Sequence, residues 1–314
     1  MENLQLTIDD VFDRRLTFPD SRAQQRFAAL IGIDDAKDRV TKLVAALIHP
    51  EGIRHWANKF HKGAKSLVNY VERRPPLVIL SGDVGTGKTE LAETVGDAVA
   101  RQENTEVTLF PLSLASRGSG RVGEMTKLIS FAFDQTVQVS KQLRGKSRRA
   151  SGAVILLVDE ADALAQSREE SQMHHEDRAG VNAFIRGVDR LSEQQLPAAV
   201  ILCTNRLSAI DPAVKRRAAE IFIFSRPNEA QRLAVLGLPL EEAGFMPQEI
   251  EQIVAMTGPS NGTDYGFTFS DLTQRLLPTL VLDAYPTTAI NFDRAQRLIK
   301  ALQPTPPFNG NGKS

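Results

Sequence analysis

The hydrophobic positions of this 314-residue chain change period several times along its length. Residues 1–25 mix apolar and polar positions with no clear repeat. From Ile31, the stretch IGIDDAKDRVTKLVAALIH places apolar residues at helical spacing, with Asp34 or Asp35 as its N-cap. Residues 51–75 contain Trp56, several lysines and Arg73-Arg74, and Pro75-Pro76 stops any helix there. Five short apolar runs then read as strands: PLVILS (76–81), EVTLFPL (106–112), AVILLVD (153–159), AAVILCT (198–204) and AEIFIF (219–224). Three of them are almost continuously apolar, as strands covered on both faces are. Helical patterns over 88–102, 123–142, 177–191 and 208–217 fill the gaps, so the alternation predicts a parallel sheet with helices on both sides.

Beyond Pro227 the strand signal stops. NEAQRLAVLGL, PQEIEQIVAM, SDLTQRLLPTLVLDAY and NFDRAQRLIKAL all read as helices, and the Pro/Gly/Asn-rich PTPPFNGNGKS is expected to be disordered. The expected organisation is a short extension over 1–25, a large α/β domain over 26–227, a small helical domain over 228–304 and a tail over 305–314.

Composition narrows the function classes. Hydrophobic residues make up 42% and charged residues 24%, the balance of a globular protein, and the formal net charge is zero. A chain that grips nucleic acid along its length carries a basic surplus, so neutrality argues against that role. The basic loop QLRGKSRRASG (142–152) and the lysines of 59–65 speak for it, although a solvated connection explains the loop as well. No helix-turn-helix pattern accompanies them. A single cysteine, Cys203, rules out a disulfide framework and sits in an apolar strand, where it is expected to be core. No apolar run approaches the ~20 residues of a membrane span, and MENLQLTIDDVFDRR lacks the apolar core of a signal peptide. A cytoplasmic protein is expected. His174-His175 with Glu176 and Asp177 lacks zinc-site spacing and partner cysteines, so a loop is expected there.

Three strand ends carry chemistry. GDVGTGKT (Gly82, Asp83, Val84, Gly85, Thr86, Gly87, Lys88, Thr89) fits G-x-x-x-x-G-K-[ST] at every fixed position and lies between a strand and a helix. Its glycines let the backbone wrap phosphates so that successive N–H groups point inward at a helix N-terminus. Lys88 adds a charge for the β- and γ-phosphates, and Thr89 offers a hydroxyl to Mg²⁺. VILLVDE ends in Asp159, placed to hold Mg²⁺ directly or through water, and Glu160, placed to activate a water beside the γ-phosphate. AAVILCTN ends in Asn205, which either orients that water, senses the γ-phosphate or opens a turn. SAIDPAVKRRAAEIF puts Arg216 and Arg217 just before the last strand; taken alone, such a pair reads as solvated surface.

Together these pieces resemble the AAA+ ATPases over roughly residues 25–300. The resemblance implies a five-stranded parallel sheet of order 5-1-4-3-2, a helical lid and a ring of usually six identical subunits. It implies ATP and Mg²⁺ at Lys88, Thr89, Asp159, Glu160 and Asn205 in cis. Arg217, with Arg216 as the second candidate, would act in trans as a finger on the neighbour's γ-phosphate. Ile31, Gly32 and Ile33 match the place where such proteins contact adenine, and Arg275 offers a lid arginine a turn later than usual. RVGE matches the pore-loop frame, with Arg121 in the aromatic position followed by Val122 and Gly123. An arginine there can still insert its stem and planar head between substrate side chains.

Within the superfamily, RVGEMTKLISFAF, RAGVNAFIRGVDRL and IDPAVKRRA resemble the pachytene-checkpoint remodellers of HORMA-domain proteins. The short stretch before Ile31 resembles the bacterial members, which accompany HORMA proteins and a cyclic-oligonucleotide synthase in antiphage signalling (CBASS). The implied activity is ATP-driven disassembly of a HORMA–synthase complex through the central pore. A DNA-transaction ATPase, such as a helicase loader, is the alternative.

Overall fold

A computed structural model describes residues 11–12, 14–114, 124–144, 150–164, 174–259 and 263–308. Two compact units form within it. The first comprises 1–28, 35–81 and 89–223, and the second 29–34, 82–88 and 224–314. The second unit therefore gathers the phosphate-loop segment and the stretch around Gly32 with the helical region, three pieces the sequence assigns to two domains.

The first unit is built on a six-stranded sheet. Its strands are β1 (Leu16–Phe18), β2 (Leu77–Gly82), β3 (Glu106–Ser113), β4 (Gly152–Asp159), β5 (Ala198–Thr204) and β6 (Glu220–Phe224), in spatial order β1-β3-β4-β5-β2-β6. The five expected strands follow the expected 5-1-4-3-2 order, and β3, β4, β5 and β2 pair in parallel. The sheet is nevertheless mixed, because β1 adds a sixth, antiparallel strand beside β3, with Leu16 opposite Leu109 and Phe18 opposite Val107.

Three residues are too few to show a period of two, so β1 is invisible to periodicity. Tertiary contacts hold it. Phe18 is buried, Phe12 stacks on Phe110 with ring centroids 4.6 Å apart, and the Asp20 N–H donates to buried Asp97 at 2.7 Å. Arg26, on α1 (Ser21–Ala28), makes a bidentate pair with Glu90. Helices α2 (Asp34–Ile48), α3 (Pro50–Phe60) and α4 (Lys65–Glu72) follow; the sequence gives no period for the last two. Trp56 on α3 is 45% exposed and tilts against His61.

The remaining helices of this unit are α5 (Lys88–Glu103, of which Lys88 belongs to the second unit), α6 (Glu124–Arg144), α7 (His174–Glu193) and the single turn α8 (Pro212–Lys215). Helix α7 begins at His174, so the loop expected over 174–177 is instead helical. The core fills both β4 and β5, whose apolar residues are all buried, Cys203 included, as β-strands under two helical layers require. Phe133 of α6 and Phe184 of α7 meet edge to face at 5.4 Å.

In the second unit, α9 (Glu229–Glu242), α10 (Pro247–Met256), a π-helical turn at Asp271–Leu276 running into α11 (Leu277–Ala284), and α12 (Phe292–Ala301) surround a core of Leu236, Leu240, Ile253, Leu272, Leu276 and Ile299. Asn228 and Gln231 close a capping box at the start of α9, a signal present in the sequence as N-E-A-Q. Residues 305–308, expected to belong to a disordered tail, are instead hydrogen-bonded to the rest of this unit through Thr305 and Phe308.

Gly187 marks the tightest packing between α6 and α7: a Cβ there would lie 2.2 Å from the Phe133 ring. Gly187→Ala should destabilise the protein by about 1–3 kcal/mol despite the better helix propensity of alanine, because buried Phe133 must shift to admit it. A denaturant-unfolding midpoint at or above that of the parent protein would refute this packing.

Candidate functional site

The second unit carries the phosphate loop. Gly85 and Gly87 both have positive φ, 72° and 92°, a region that glycine enters without penalty. Space is as restrictive as conformation: a Cβ on Gly85 would approach Thr268 Oγ1 to 2.7 Å, and one on Gly82 would fall 2.0 Å from the Phe224 carbonyl oxygen. The loop thus follows a path that side chains at these positions would block. Buried Lys88 donates its ammonium to the Asp83 carbonyl at 2.7 Å, and the Thr86 hydroxyl donates to the same oxygen at 2.7 Å. The Gly85 carbonyl accepts from the Ser270 N–H at 3.0 Å.

Around this loop lie Leu30 to Ile33. A Cβ on Gly87 would meet Ile33 Cδ1 at 3.4 Å, so Ile33 packs beside the loop, whereas Ile31 is 46% exposed. Gly32 adopts φ of 85°, and its carbonyl accepts from Gln231 Nε2 at 2.6 Å, while Phe269 covers it. The three residues matched to adenine contact are therefore gathered with the phosphate loop and α9.

The Asp83 side chain, within that loop, receives the N–H groups of Val84 and Phe308 at 2.8 and 3.0 Å and the Arg226 guanidinium at 2.7 Å. Burial opposes its charge, but these donors outweigh it and hold the carboxyl below its ordinary range. Buried Asp271 shows the same balance: burial raises its pKa, and Thr268, Thr305 and Arg275 as donors lower it further. Arg275, the lid arginine expected near phosphate, gives its guanidinium to Asp271 at 2.6 Å and to the Gln303 carbonyl at 3.1 Å. The sequence gives no hint of Arg226, which lies between the last strand and the first lid helix with a side chain only 14% exposed.

The first unit carries the acids. Parallel pairing puts Ser113 level with Asp159 at the carboxyl ends of β3 and β4. Glu160 follows in a left-handed backbone conformation, φ 53°, uncommon for a residue with a side chain and found where surroundings over-determine a site. Its N–H donates to Asp159 at 2.8 Å and its carboxylate accepts from the Ser113 hydroxyl at 2.7 Å. Glu160 is exposed. Asp162, which sequence reasoning passed over, is 5% exposed and accepts from the Thr204 hydroxyl at 2.6 Å and the N–H groups of Asn205 and Arg206 at 2.8 and 2.9 Å. One carboxylate thereby ties the end of β5 to the turn after β4 and sets where Asn205 sits.

Thr89 and Asp159 supply a hydroxyl and a carboxylate, hard oxygen donors of the kind Mg²⁺ takes. That ion keeps several waters and uses only one or two protein carboxylates alongside substrate phosphates, so this donor set fits it. Among the described residues no group of three or more His, Cys, Asp or Glu could hold a metal alone.

Asp211 caps α8 by accepting from the Ala213 N–H, with Pro212 at the first helical position, and the turn ends at Arg216 and Arg217. Arg217 makes a bidentate pair with Asp189 of α7, at 2.7 and 3.0 Å, which pushes its pKa further up. Arg216 is exposed, and its guanidinium has no hydrogen-bond partner among the described residues. Arg121, Val122 and Gly123 lie outside the described residues.

Asp162→Asn should destabilise the chain by about 1–3 kcal/mol, because an amide turns a donor toward a cluster of donors. Unfolding midpoints equal to those of the parent protein would remove Asp162 from this role.

Residues 78–226 match the family model described as ATPase family associated with various cellular activities (AAA). The chain is 56% identical over 306 residues to CD-NTase-associated protein 6 of Escherichia coli (strain MS 115-1), covering 98% of each. A chain of the solved E. coli MS115-1 HORMA:CdnC:Trip13 complex matches with a TM-score of 0.88 and 56% identity, over 97% of this chain and 100% of that one. The solved Rhizobiales Trip13 matches with a TM-score of 0.75 and 51% identity, over 94% and 100%. The phosphate loop, the acids after β4 and this end-to-end likeness agree: the chain belongs to the AAA ATPase family, in the group of CD-NTase-associated protein 6.

Proposed function

We propose that this ATPase works as a ring, of six subunits as in most of its relatives, and uses ATP hydrolysis to take apart a complex of a HORMA-domain protein with a cyclic-oligonucleotide synthase in a bacterial antiphage system. The observation that carries the reading is the likeness, over 98% of the chain, to a CD-NTase-associated protein, joined to a solved relative in complex with HORMA and CdnC. In this reading the protein acts in the cytoplasm, and residues 121–123 form the pore loop that touches the substrate. Among the described residues no helix is long and apolar enough to cross a membrane.

The chemistry follows from the residues. The loop Gly82–Lys88 presents backbone N–H groups to the phosphates at the start of α5. Lys88 exchanges the Asp83 carbonyl for phosphate oxygens of the β- and γ-groups. Magnesium, when bound, neutralises charge on those oxygens, and Thr89 and Asp159 are the residues that would hold it. Glu160 takes a proton from the attacking water; the Ser113 hydroxyl bonded to it sets the direction of its carboxylate. Asn205, held through Asp162, orients the water or senses the γ-phosphate. Arg216 is free to reach a neighbouring subunit, while Arg217 must first exchange Asp189 for phosphate.

Glu160→Gln should lower ATP turnover by about 10²–10⁴ while leaving ATP binding intact. With ATP it should also trap a candidate HORMA-domain protein in pull-down. Unchanged turnover would sink the hydrolytic mechanism; capture of DNA with a steep salt dependence, and of no protein, would sink the substrate assignment. Mixing inactive Lys88→Ala and Arg217→Ala subunits should restore part of the activity, because some interfaces regain one complete site. No restoration at any ratio would count against a finger in trans from Arg217.

A further inference from the structure

We propose that Arg226 is a positioning residue for ATP binding, and that it works by fastening the phosphate loop to a strap formed by residues 303–308. The inference rests on reading Gly82–Thr89 as the ATP phosphate site and concerns what holds that site in shape.

Three groups meet at the Arg226 guanidinium. Nε donates to Asp83 Oδ2 at 2.7 Å, Nη1 to the Gly266 carbonyl at 2.7 Å, and Nη2 to the Thr305 carbonyl at 2.7 Å. Its plane lies over the Tyr265 ring, 4.8 Å from the centroid. A planar fork with five donors can serve three acceptors and stack at once; an ammonium cannot keep that geometry. The strap touches the loop a second time where the Phe308 N–H donates to Asp83 Oδ1 at 3.0 Å. Its other anchor is Asp271, 1% exposed, which accepts the Thr305 N–H at 3.0 Å and the Thr305 hydroxyl at 2.7 Å. Arg275 adds a bond to the Gln303 carbonyl and completes the seat.

Asp83 gives this arrangement its consequence for nucleotide. Its carbonyl points into the loop, where Lys88 and Thr86 bond it, and its carboxylate points out to Arg226 and Phe308. Fixing the carboxylate fixes the plane in which the adjoining peptides lie, and those peptides carry the N–H groups that must face phosphate. The strap and the lid residue Asp271 thus reach the phosphate loop through one arginine. Removing the Thr305 hydroxyl's bond to Asp271 should loosen the loop, although that hydroxyl touches neither Arg226 nor the loop itself.

The test uses the purified full chain, with KM and kcat for ATP and hydrogen exchange of peptides covering 82–88 and 303–308. Thr305→Val, nearly isosteric, and Arg226→Gln should each raise the KM roughly tenfold, the factor equivalent to ~1.4 kcal/mol, with kcat retained and faster exchange in both segments. Arg226→Lys should recover only part of the loss. Should Arg226→Gln fail to fold, Thr305→Val decides by itself. Parent-like KM and exchange in Thr305→Val, or a loss confined to kcat, would overturn the strap. A parent chain that does not bind ATP, or a Lys88→Ala variant that binds it equally well, would overturn the phosphate-site reading on which the strap depends.

Discussion

A phosphate loop works by holding several backbone N–H groups in one concave array, and the bonds of Lys88, Thr86 and Val84 to Asp83 brace it only from within. Left-handed glycines at 85 and 87 permit the path without enforcing it. Further enforcement comes from outside: the Phe224 backbone against Gly82, the Ser270 N–H on the Gly85 carbonyl, and the pair of Asp83 with Arg226. The composition of the second unit follows from this requirement. Residues 29–34, 82–88 and the helical region cluster together because the loop's neighbours are drawn from sequence-distant pieces.

The first unit meets a different demand with a similar device. Carboxylates at the ends of parallel strands repel one another and attract water, so their directions need fixing. Ser113 bonds Glu160, Glu160 donates its own N–H to Asp159, and Asp162 gathers Thr204, Asn205 and Arg206. Short charge-assisted bonds to a buried carboxylate are stronger than neutral ones, which suits a site whose parts come from three strands.

Much of this was legible in the sequence, for physical reasons. Short, β-branched apolar runs such as AVILLVD favour buried strands over helices by their length, and GDVGTGKT combines residue types that rarely coincide elsewhere. The capping box at Asn228 and the Asp-Pro start before Arg216 are local chemistry, written within four residues. Strand β1 was not legible, since three residues held by Phe12, Asp97 and Arg26 carry no period of their own. Helices α3 and α4 were likewise hidden among lysines and polar residues. Residues 305–308 have the composition of a disordered tail, yet Asp271, Arg226 and Asp83, far away in sequence, give their backbone groups partners. Arg275 was placed by its position relative to a motif and Arg226 by nothing in the sequence, and only the fold reveals which carboxylate each one meets.

The single tryptophan has a practical consequence. Trp56 lies half-exposed on α3, within the first unit, whereas Tyr265 and Tyr285 lie in the second. Indole emission therefore originates in the first unit, and the second unit has no indole of its own. An optical probe of the second unit needs its own chromophore, and exposed Tyr285, which a tryptophan can replace at the surface, offers the place for one.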